Sequence, residues 1–389
     1  MKKFLILLSL VVMCFTITSC RIFKVNLVES KEYSALIDGI NWKFKRYGNG
    51  VEICKTDVSG CVNIPSQLYG YPMLSIGDNA FSYCSGLTSI VISASVTNIG
   101  EDAFMCSGIT TIKIPQNVSS IKGNPFVGCW RLMKLRVAKD NMNYTAKDDI
   151  LYSKDMTKFI CCPEMKYFFS FLPSVTIIGE KAFYMCRNLD KITIPDCVTE
   201  IGDNAFANSW IKSVDILSNN VKINGNIFAD AVHLKEIKVA ENNINYVVKD
   251  GVLYSKDMSK IICAEKNIET CSVPNGVIEI CPYAFDKCYK LTNIEIPSTV
   301  TVIDDYAFRN CIRLTNIVIP NSVTKIGEKA FFRCRRLEEI DIPNSVNTIG
   351  NNAFDFCNRL KLVKLPRKLS NNRHRYGFYG INMEIILKD

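Results

Sequence analysis

The sequence predicts a solenoid of the α/β type, in which coils of short parallel strands carry inserted β-hairpins and little helix. One observation behind this prediction is a motif that occurs ten times, mostly at intervals of 22 or 23 residues. A second is a super-period of 102 residues, over which this motif and a hairpin-like module return together. The third is an apolar share of 48% in 389 residues, with a mean hydropathy of +0.09. A chain this apolar can bury a large core and does not have the composition of a disordered protein.

The first twenty residues have the pattern of an export signal. The basic start Met1–Lys3 precedes an apolar run at 4–17 that is too short to span a bilayer comfortably. The run ends in Ile17, two small residues and Cys20, which resembles the lipobox of bacterial lipoproteins. The resemblance implies cleavage before Cys20 and lipidation of its thiol, so that several acyl chains anchor the protein to a membrane. An ordinary signal peptide followed by a chance cysteine is the alternative.

The repeat is centred on a phenylalanine. It occupies Phe81, Phe104, Phe126, Phe183, Phe206, Phe228, Phe285, Phe308, Phe331 and Phe354. One unit, Leu314 to Cys334, reads L-x-x-I-x-I-P-x-x-V-x-x-I-G-x-x-A-F-x-x-C. Its first six residues alternate as in a half-buried strand, which Pro320 ends because proline has no N–H to donate. We expect Val323 and Ile326 to point back inward. No single unit can bury this apolar set, so the units must stack on one another.

A turn follows the inward-pointing isoleucine. Gly327 marks it in the unit above, and glycine holds the equivalent position in six of the ten units. Asp304 and Asn224 hold it in two others. Because glycine, aspartate and asparagine tolerate positive φ, we expect a left-handed residue there.

The second module fills the two long gaps between motifs. Residues 141–161 and 243–263 match at 14 of 21 positions. Each is predicted to form two short strands around a Ser-Lys-Asp turn. The segment 36–54 looks like a longer version of the same hairpin and is predicted to cap the N-terminal end.

These patterns divide the chain into five parts. Residues 1–19 are assigned to the signal peptide, 20–36 to a tether and 37–76 to the hairpin cap. The solenoid of 23-residue units is assigned to 77–366, and a C-terminal cap to 367–389.

The unit and its interspersed hairpins resemble the BspA-like leucine-rich repeats of bacterial surface proteins, over roughly residues 38–366. The resemblance implies a right-handed leucine-rich repeat coil with its parallel strands on the concave face. In the general leucine-rich pattern Asn or Cys follows the strand, whereas here the cysteine precedes it. The family implies a protein-binding or adhesion scaffold, exported to the outer membrane or cell surface. A structural component of the envelope without a soluble ligand is the alternative.

Cysteine is abundant, with 18 in the chain. Eight stand two or three residues after the motif phenylalanine: Cys84, Cys106, Cys129, Cys186, Cys288, Cys311, Cys334 and Cys357. Asn208 and Ala231 fill the position in the other units, so it does not require sulfur. We expect a column of buried free thiols, with partial oxidation between stacked neighbours as the alternative. A redox or metal role for the adjacent Cys161 and Cys162 is a further alternative, although the sequence contains no C-x-x-C.

Enzymatic chemistry has little support in the sequence. The chain has only two histidines, His233 and His374, and no glycine-rich phosphate loop. A nucleophilic enzyme needs a base beside its nucleophile. His233 falls in a column that otherwise holds Arg131, Asn188 and Arg313, which indicates a surface position. We predict no enzyme, no cofactor and no metal site.

One candidate binding surface is the column between the two strand aliphatics. It consists of Val91, Lys113, Arg136, Thr193, Asp215, Lys238, Glu295, Val318, Asp341 and Lys364. The column has no aromatic residue, and its mixed charges argue against nucleic acid. Lys113, Arg136 and Lys238 are its candidate contacts for a protein partner, with simple solvation as the alternative.

A second candidate surface is basic and lies towards the C-terminus. Residues 305–389 hold 15 Lys and Arg against 8 Asp and Glu, which equals the net charge of +7 that remains after export. Lys290, Arg313, Arg336 and Arg359 are 23 residues apart and should form one column, one per coil, about 4.8 Å apart. Such like charges repel unless acids, salt or a ligand neutralise them. The column is therefore either a solvated edge or a site for an anionic glycan or an acidic protein patch.

Overall fold

Each repeat unit forms one coil of a β-solenoid of about 14 coils, with parallel strands and almost no helix. The computed structural model describes residues 27–163, 170–379 and 383–389. The predicted fold class is confirmed. The predicted signal peptide and Cys20 lie outside the described residues.

An antiparallel meander closes the N-terminal end. Its strands are β1 (Glu32–Ile37), β2 (Ile40–Tyr47) and β3 (Gly50–Ile53), numbered in chain order. Trp42 is buried, and its ring meets that of Phe81 edge-on at a centroid distance of 6.4 Å. The meander therefore covers the apolar end of the stacked coils. The first strand starts at Glu32, inside the segment assigned to the tether.

The L-x-x-I-x-I segments form the first row of parallel strands. Its members are β4 (Gly60–Asn63), β7 (Leu87–Val91), β9 (Thr111–Ile114), β11 (Lys134–Val137), β16 (Lys191–Ile194), β18 (Ser213–Ile216), β20 (Glu236–Val239), β24 (Thr270–Ser272), β26 (Asn293–Glu295), β28 (Asn316–Ile317), β30 (Glu339–Asp341), β32 (Leu362–Pro366) and β33 (Glu384–Lys388). Equivalent residues pair, as Ile294 does with Ile317. This register places each repeat position in a column along the solenoid axis.

A second row of parallel strands was not predicted. Most of its members are two residues long and lie at the V-x-x-I segment. They are β6 (Tyr71–Ile76), β8 (Asn98–Ile99), β10 (Ser120–Ile121), β15 (Ile177–Ile178), β17 (Glu200–Ile201), β19 (Lys222–Ile223), β25 (Glu279–Ile280), β27 (Val302–Ile303), β29 (Lys325–Ile326) and β31 (Thr348–Ile349); β5 (Gln67–Leu68) pairs with β6 in a small hairpin. Strands this short leave no alternation that the sequence could reveal.

The two predicted hairpins are present. They pair β13 (Ile150–Ser153) with β14 (Lys158–Cys161), and β22 (Val252–Ser255) with β23 (Lys260–Ala264). Each has a third antiparallel strand that was missed, β12 (Tyr144–Lys147) and β21 (Tyr246–Lys249). Because β14 and β23 also pair in parallel with β15 and β25, each hairpin supplies a strand of the second row.

Buried asparagines fasten the hairpins to the coils before them. The side-chain amide of Asn141 donates to the carbonyls of Pro115 and Val118 at 2.8 and 2.9 Å. Its carbonyl oxygen accepts from the N–H groups of Asn143 and Tyr144. Asn243, 102 residues later, also bonds the preceding coil and its own hairpin. These side chains satisfy backbone groups that the break in the ladder would otherwise leave unpaired.

The motif phenylalanines form a ladder of stacked rings in the core. Phe331 is fully buried, and its centroid lies 5.2 Å from that of Phe308 and 5.1 Å from that of Phe354. Phe378 continues the ladder at 4.9 Å from Phe354. The C-terminal segment thus forms one more coil, which holds the 3-10 helix Arg367–Asn372 and the last strand of the first row.

The A-F-x-x-C corner of each coil is a stack of tight turns. In most units the residues two before and two after the phenylalanine have positive φ, as at Lys329 (50°) and Arg333 (61°). The N–H groups of Lys329, Phe331 and Arg333 donate to the carbonyls of Asn351, Ala353 and Asp355 in the following coil. The same direction of donation holds at each corner from Tyr283 to Phe354, so the corners of the distal coils form a one-way ladder. At the Phe126 and Phe228 corners, which precede the inserted hairpins, the phenylalanine N–H donates instead to the side chain of Asn124 or Asn226.

The glycine after the inward isoleucine has a different role from the one expected. Gly327 is not in the left-handed region, and a Cβ there would lie 2.3 Å from the backbone nitrogen of Asp305. The prediction of positive φ is wrong for this position. Glycine is favoured because two neighbouring coils approach closely there.

Candidate binding edge

The basic residues of the predicted column stand on one edge of the solenoid. Each is exposed and directly precedes the buried leucine that begins the first-row segment of its coil. They are Lys290, Arg313, Arg336 and Arg359, before Leu291, Leu314, Leu337 and Leu360. The pairing of residues 23 apart, as at Asn293 and Asn316, keeps them on the same edge.

Acidic groups leave most of this column uncompensated. Across the described ranges, no carboxylate lies within ion-pairing distance of Arg313, Arg336 or Arg359. Lys290 is the exception, with its Nζ 3.7 Å from Oε1 of the exposed Glu269. Three guanidinium groups therefore repeat along the edge with their charge open to solvent.

Two of the candidate residues on the strand face differ from the basic column because they have acidic partners. Arg136 pairs with Asp149 at 3.4 Å, and Lys238 pairs with Glu236 at 2.7 Å. Lys113, on β9, lies beside Arg136 in the ladder and is exposed. Most of the positive charge on this face is neutralised within it, which makes it a weaker electrostatic site than the basic column.

Exposed aromatic rings occur on the same edge, and sequence reasoning missed them. Trp130, Trp210 and Tyr289 follow the cysteine position directly and are 41%, 47% and 38% exposed. The Arg187 guanidinium lies 5.8 Å from the ring of Trp210, and the His233 ring lies 5.2 Å from it. Counting residue types by position from the cysteine would find these rings, which lie outside the strand column.

A second aromatic group flanks the column at its distal end. Phe332 and Phe356 meet edge-on at 5.2 Å, and the Arg333 guanidinium lies 5.2 and 5.4 Å from their ring centroids. Phe356 is half exposed. Aromatic residues and arginine together are the composition enriched at the energetic centres of protein interfaces.

The thiol column is buried, and Cys84, Cys288, Cys311, Cys334 and Cys357 are free thiols. Several of these thiols donate to the carbonyl of the phenylalanine one coil back, as Cys311 does to Phe285 at 3.1 Å and Cys334 to Phe308 at 3.3 Å. Burial raises the pKa of Cys357 to about 12 and that of Cys311 and Cys334 well above the ordinary value. These thiols remain protonated at neutral pH and serve as small core residues with a hydrogen-bond donor.

The assignment of residues to this column needs a correction. The core position is three residues after the phenylalanine, where the buried Ser107 and Ser209 replace cysteine. Cys106 lies one residue earlier, at a left-handed turn position with φ of 53°, and Asn208 occupies the same place in its unit. A small residue is needed because the position is enclosed, and cysteine, serine and alanine all satisfy that need.

Neither a metal site nor a membrane span is found in the parts of the chain that the structure describes. No three His, Cys, Asp or Glu residues come together there as a set of metal ligands. No helix among these residues has the length and apolar character to cross a bilayer.

Stacked coils of parallel strands with almost no helix define a repeat protein of the solenoid class. The chain belongs to the BspA type leucine rich repeat family, whose model matches six copies over residues 51–155, 155–267 and 256–384. The family predicted from the motif is confirmed. Members and structural relatives are surface proteins of bacteria, and this fold typically serves protein interaction rather than catalysis.

Solved structures of leucine-rich repeat proteins are similar to this chain, and the first of them shows the same fold. A leucine rich cell surface protein of Faecalibacterium prausnitzii is 24% identical, with 93% of this chain and 96% of that chain covered and a TM-score of 0.58. A leucine-rich repeat protein of Eubacterium ventriosum is 22% identical over 78% of this chain and 95% of its own, with a TM-score of 0.45. The pneumococcal vaccine antigen PcpA is 19% identical over 85% of this chain and 81% of its own, with a TM-score of 0.43. No curated protein matches the chain.

Proposed function

We propose that the protein is an exported lipoprotein, anchored through Cys20, whose solenoid is an adhesion scaffold for a macromolecule outside the cell. The lipobox-like end of the export signal supports the anchor. The family and its cell-surface relative support a protein-interaction scaffold. The anchor would hold the N-terminal end at the envelope and leave the distal coils available to a partner.

The observation that carries the proposal is the uncompensated column at Arg313, Arg336 and Arg359. Placing like charges about 4.8 Å apart without acids is unfavourable. A partner with sulfate or carboxylate groups would relieve this repulsion, because a guanidinium fork matches such groups bidentately. The partner is therefore an acidic protein surface or an anionic glycan, and charge attraction would also speed its association.

Binding of the mature chain to immobilised polyanions and acidic proteins tests this function. The variant in which Arg313, Arg336 and Arg359 become serine should lose binding, and wild-type binding should weaken steeply as salt rises. A matched control replaces Lys147, Lys249 and Lys256, which are exposed on the hairpins, with serine and removes the same charge. The proposed site is refuted if the arginine variant binds as well as wild type, or if the two variants lose binding equally.

A further inference from the structure

We infer that the edge from Trp210 to Arg359 is a track for one linear anionic polysaccharide, held by stacking at its aromatic end and by ion pairs at its basic end. This inference rests on the proposed function and names the ligand class of that site. The edge comprises Trp210, His233, Tyr289, Lys290, Arg313, Arg336 and Arg359, and we call it the Trp–Arg edge.

The rings and the cations belong to a single line. Trp210 and Tyr289 directly follow the cysteine position, and the basic column begins one residue later at Lys290. The hairpin coil between His233 and Lys290 continues the edge, because the N–H of Lys266 donates to the carbonyl of Leu234 at 2.8 Å. Six steps from the coil of Trp210 to that of Arg359 span about 30 Å. An extended polymer can follow such a line, whereas a compact ligand can touch only part of it.

The aromatic end has the form of a sugar-stacking platform. Trp210 exposes nearly half of its surface, although an indole of this size is normally largely buried. Arg187 and His233 flank the ring at 5.8 and 5.2 Å and hold it in place. The exposed part of the indole can pack against the C–H face of a pyranose ring and leave the sugar hydroxyls in water. The neighbouring Arg187 can bond an acidic substituent on the same sugar.

The basic end fits a repeating charge better than a protein patch. Arg313, Arg336 and Arg359 recur once per coil in single file, as the acidic groups of a polyuronate or sulfated glycan recur along its chain. Among the residues that the structure describes, the acid in ion-pair contact with this column is Glu269, at 3.7 Å from Lys290. An acidic protein would have to present a straight row of carboxylates to neutralise the same line.

Four ligands and three variants of the mature chain test the inference. The probes are heparin, an acidic protein, neutral dextran and a DNA duplex, each titrated at low and raised salt. The variants are Trp210→Ala, Trp210→Phe and the triple arginine-to-serine change, with Tyr47→Ala as a control for an exposed aromatic in the N-terminal cap. Thermal unfolding checks that each variant is folded.

The expected result is salt-sensitive binding of heparin that the triple arginine variant loses. Trp210→Ala should weaken the affinity for heparin by about tenfold, whereas Trp210→Phe and Tyr47→Ala should retain most of that affinity. Heparin should also shift the tryptophan emission of wild type, because Trp130 and Trp210 are exposed while Trp42 is 1% exposed. Much of that shift should be absent in Trp210→Ala.

Other outcomes overturn the inference in distinguishable ways. Binding of an acidic protein but not of heparin, lost in the arginine variant, leaves the scaffold function standing and refutes the polysaccharide. The track is refuted if Trp210→Ala binds heparin as tightly as wild type does. It is also refuted if the DNA duplex binds as tightly as heparin, because the edge is then a contact for any polyanion. If the arginine variant binds every ligand as wild type does, both the track and the proposed site fail.

Discussion

The guanidinium of Arg309 donates to the carboxylate of Asp230 at 2.6 Å, across 79 residues of sequence. It also donates to both oxygens of the fully buried Asp286, at 2.8 and 2.9 Å. Lys181 and Asp102 form a similar pair at 2.8 Å, again 79 residues apart. Each pair spans one inserted hairpin, so ion pairs bind together the coils on either side of the insertions.

Arg309→Ala should lower the free energy of unfolding by about 3–5 kcal/mol, because it leaves Asp286 buried without its counter-charge. Urea denaturation at pH 7 measures the change. Lys325→Ala is the control: it breaks a more exposed pair with Asp304 at 2.6 Å and should cost less than about 1 kcal/mol. Equal effects of the two changes would contradict the structural role of Arg309.

Acid should weaken the contact at Asp230. Burial alone would raise the pKa of Asp230, but hydrogen bonds and charge from Arg309 and Lys287 outweigh burial and lower it. A carboxyl whose pKa is depressed by folding stabilises the fold above its unfolded value, about 3.9, and loses that contribution as pH falls through the folded value. Asp230→Asn should therefore be less stable than wild type at pH 7, and the difference should shrink below about pH 4. A difference that is constant from pH 7 to pH 3 would contradict this mechanism.

Phe331→Ala should cost about 3–5 kcal/mol, the range for deleting a buried aromatic side chain. It removes a ring that stacks on both neighbours and should loosen adjacent coils, since each coil contacts only the next. Chemical denaturation gives the free energy, and hydrogen exchange reports whether the loss spreads. Phe356→Ala, at a half-exposed ring, serves as the comparison, and an unchanged midpoint for Phe331→Ala would rule out an interior role.

The thiols should react with iodoacetamide in a defined order at pH 8. Cys61 is exposed, and hydrogen bonds from Ser89 and Thr88 lower its pKa, so it should be alkylated early. Cys311 and Cys334 should resist until denaturant is added, because they are buried and their pKa is raised by burial. Mass spectrometry of native and denatured samples follows each site. Fast native labelling of the column, or widespread pairing of its cysteines, would disprove the buried reduced state.

Lipidation at Cys20 should give a mature chain that begins at that residue and carries acyl mass. Intact-mass analysis of the membrane fraction tests this directly. Cys20→Ala should move the protein out of that fraction, since the anchor is the proposed membrane contact. A mature chain that starts elsewhere, or a variant that stays membrane-bound, would remove the lipid anchor from the proposal.

The features of the fold that repeat in every unit could be predicted from the sequence. The features that depend on neighbouring coils could not. The unit around Phe331 predicted the coil, the ring ladder and the first row of strands, because the same apolar set recurs in every unit. The two-residue strand Lys325–Ile326 could not be predicted, since it forms only when neighbouring coils supply its partners. The left-handed conformation at Lys329 was missed for a similar reason: its N–H bonds the next coil, which offsets a conformation that lysine alone disfavours.

The features of the candidate binding edge that depend on neighbouring coils could not be predicted from the sequence either. The 23-residue spacing predicted the column of Arg313, Arg336 and Arg359, but not whether acids would neutralise it, because a charge partner can lie on any neighbouring coil. Arg136 and Arg313 look alike in sequence, yet only Arg136 has a carboxylate within reach. Trp210 was overlooked because aromatic residues are usually core residues, and its exposure follows from the place of the cysteine position on the corner of the coil.

The one-way ladder at the A-F-x-x-C corners gives this edge of the distal coils a local electrical polarity. Its N–H groups point towards the C-terminal coils and its carbonyls towards the N-terminal cap, so the peptide dipoles add as they do along a helix axis. In ordinary strands these dipoles alternate and largely cancel. The positive pole falls at the end where Arg336 and Arg359 already concentrate the side-chain charge. Backbone and side chains at these corners thus contribute charge of the same sign, and an anionic surface would attract the distal end of the molecule first.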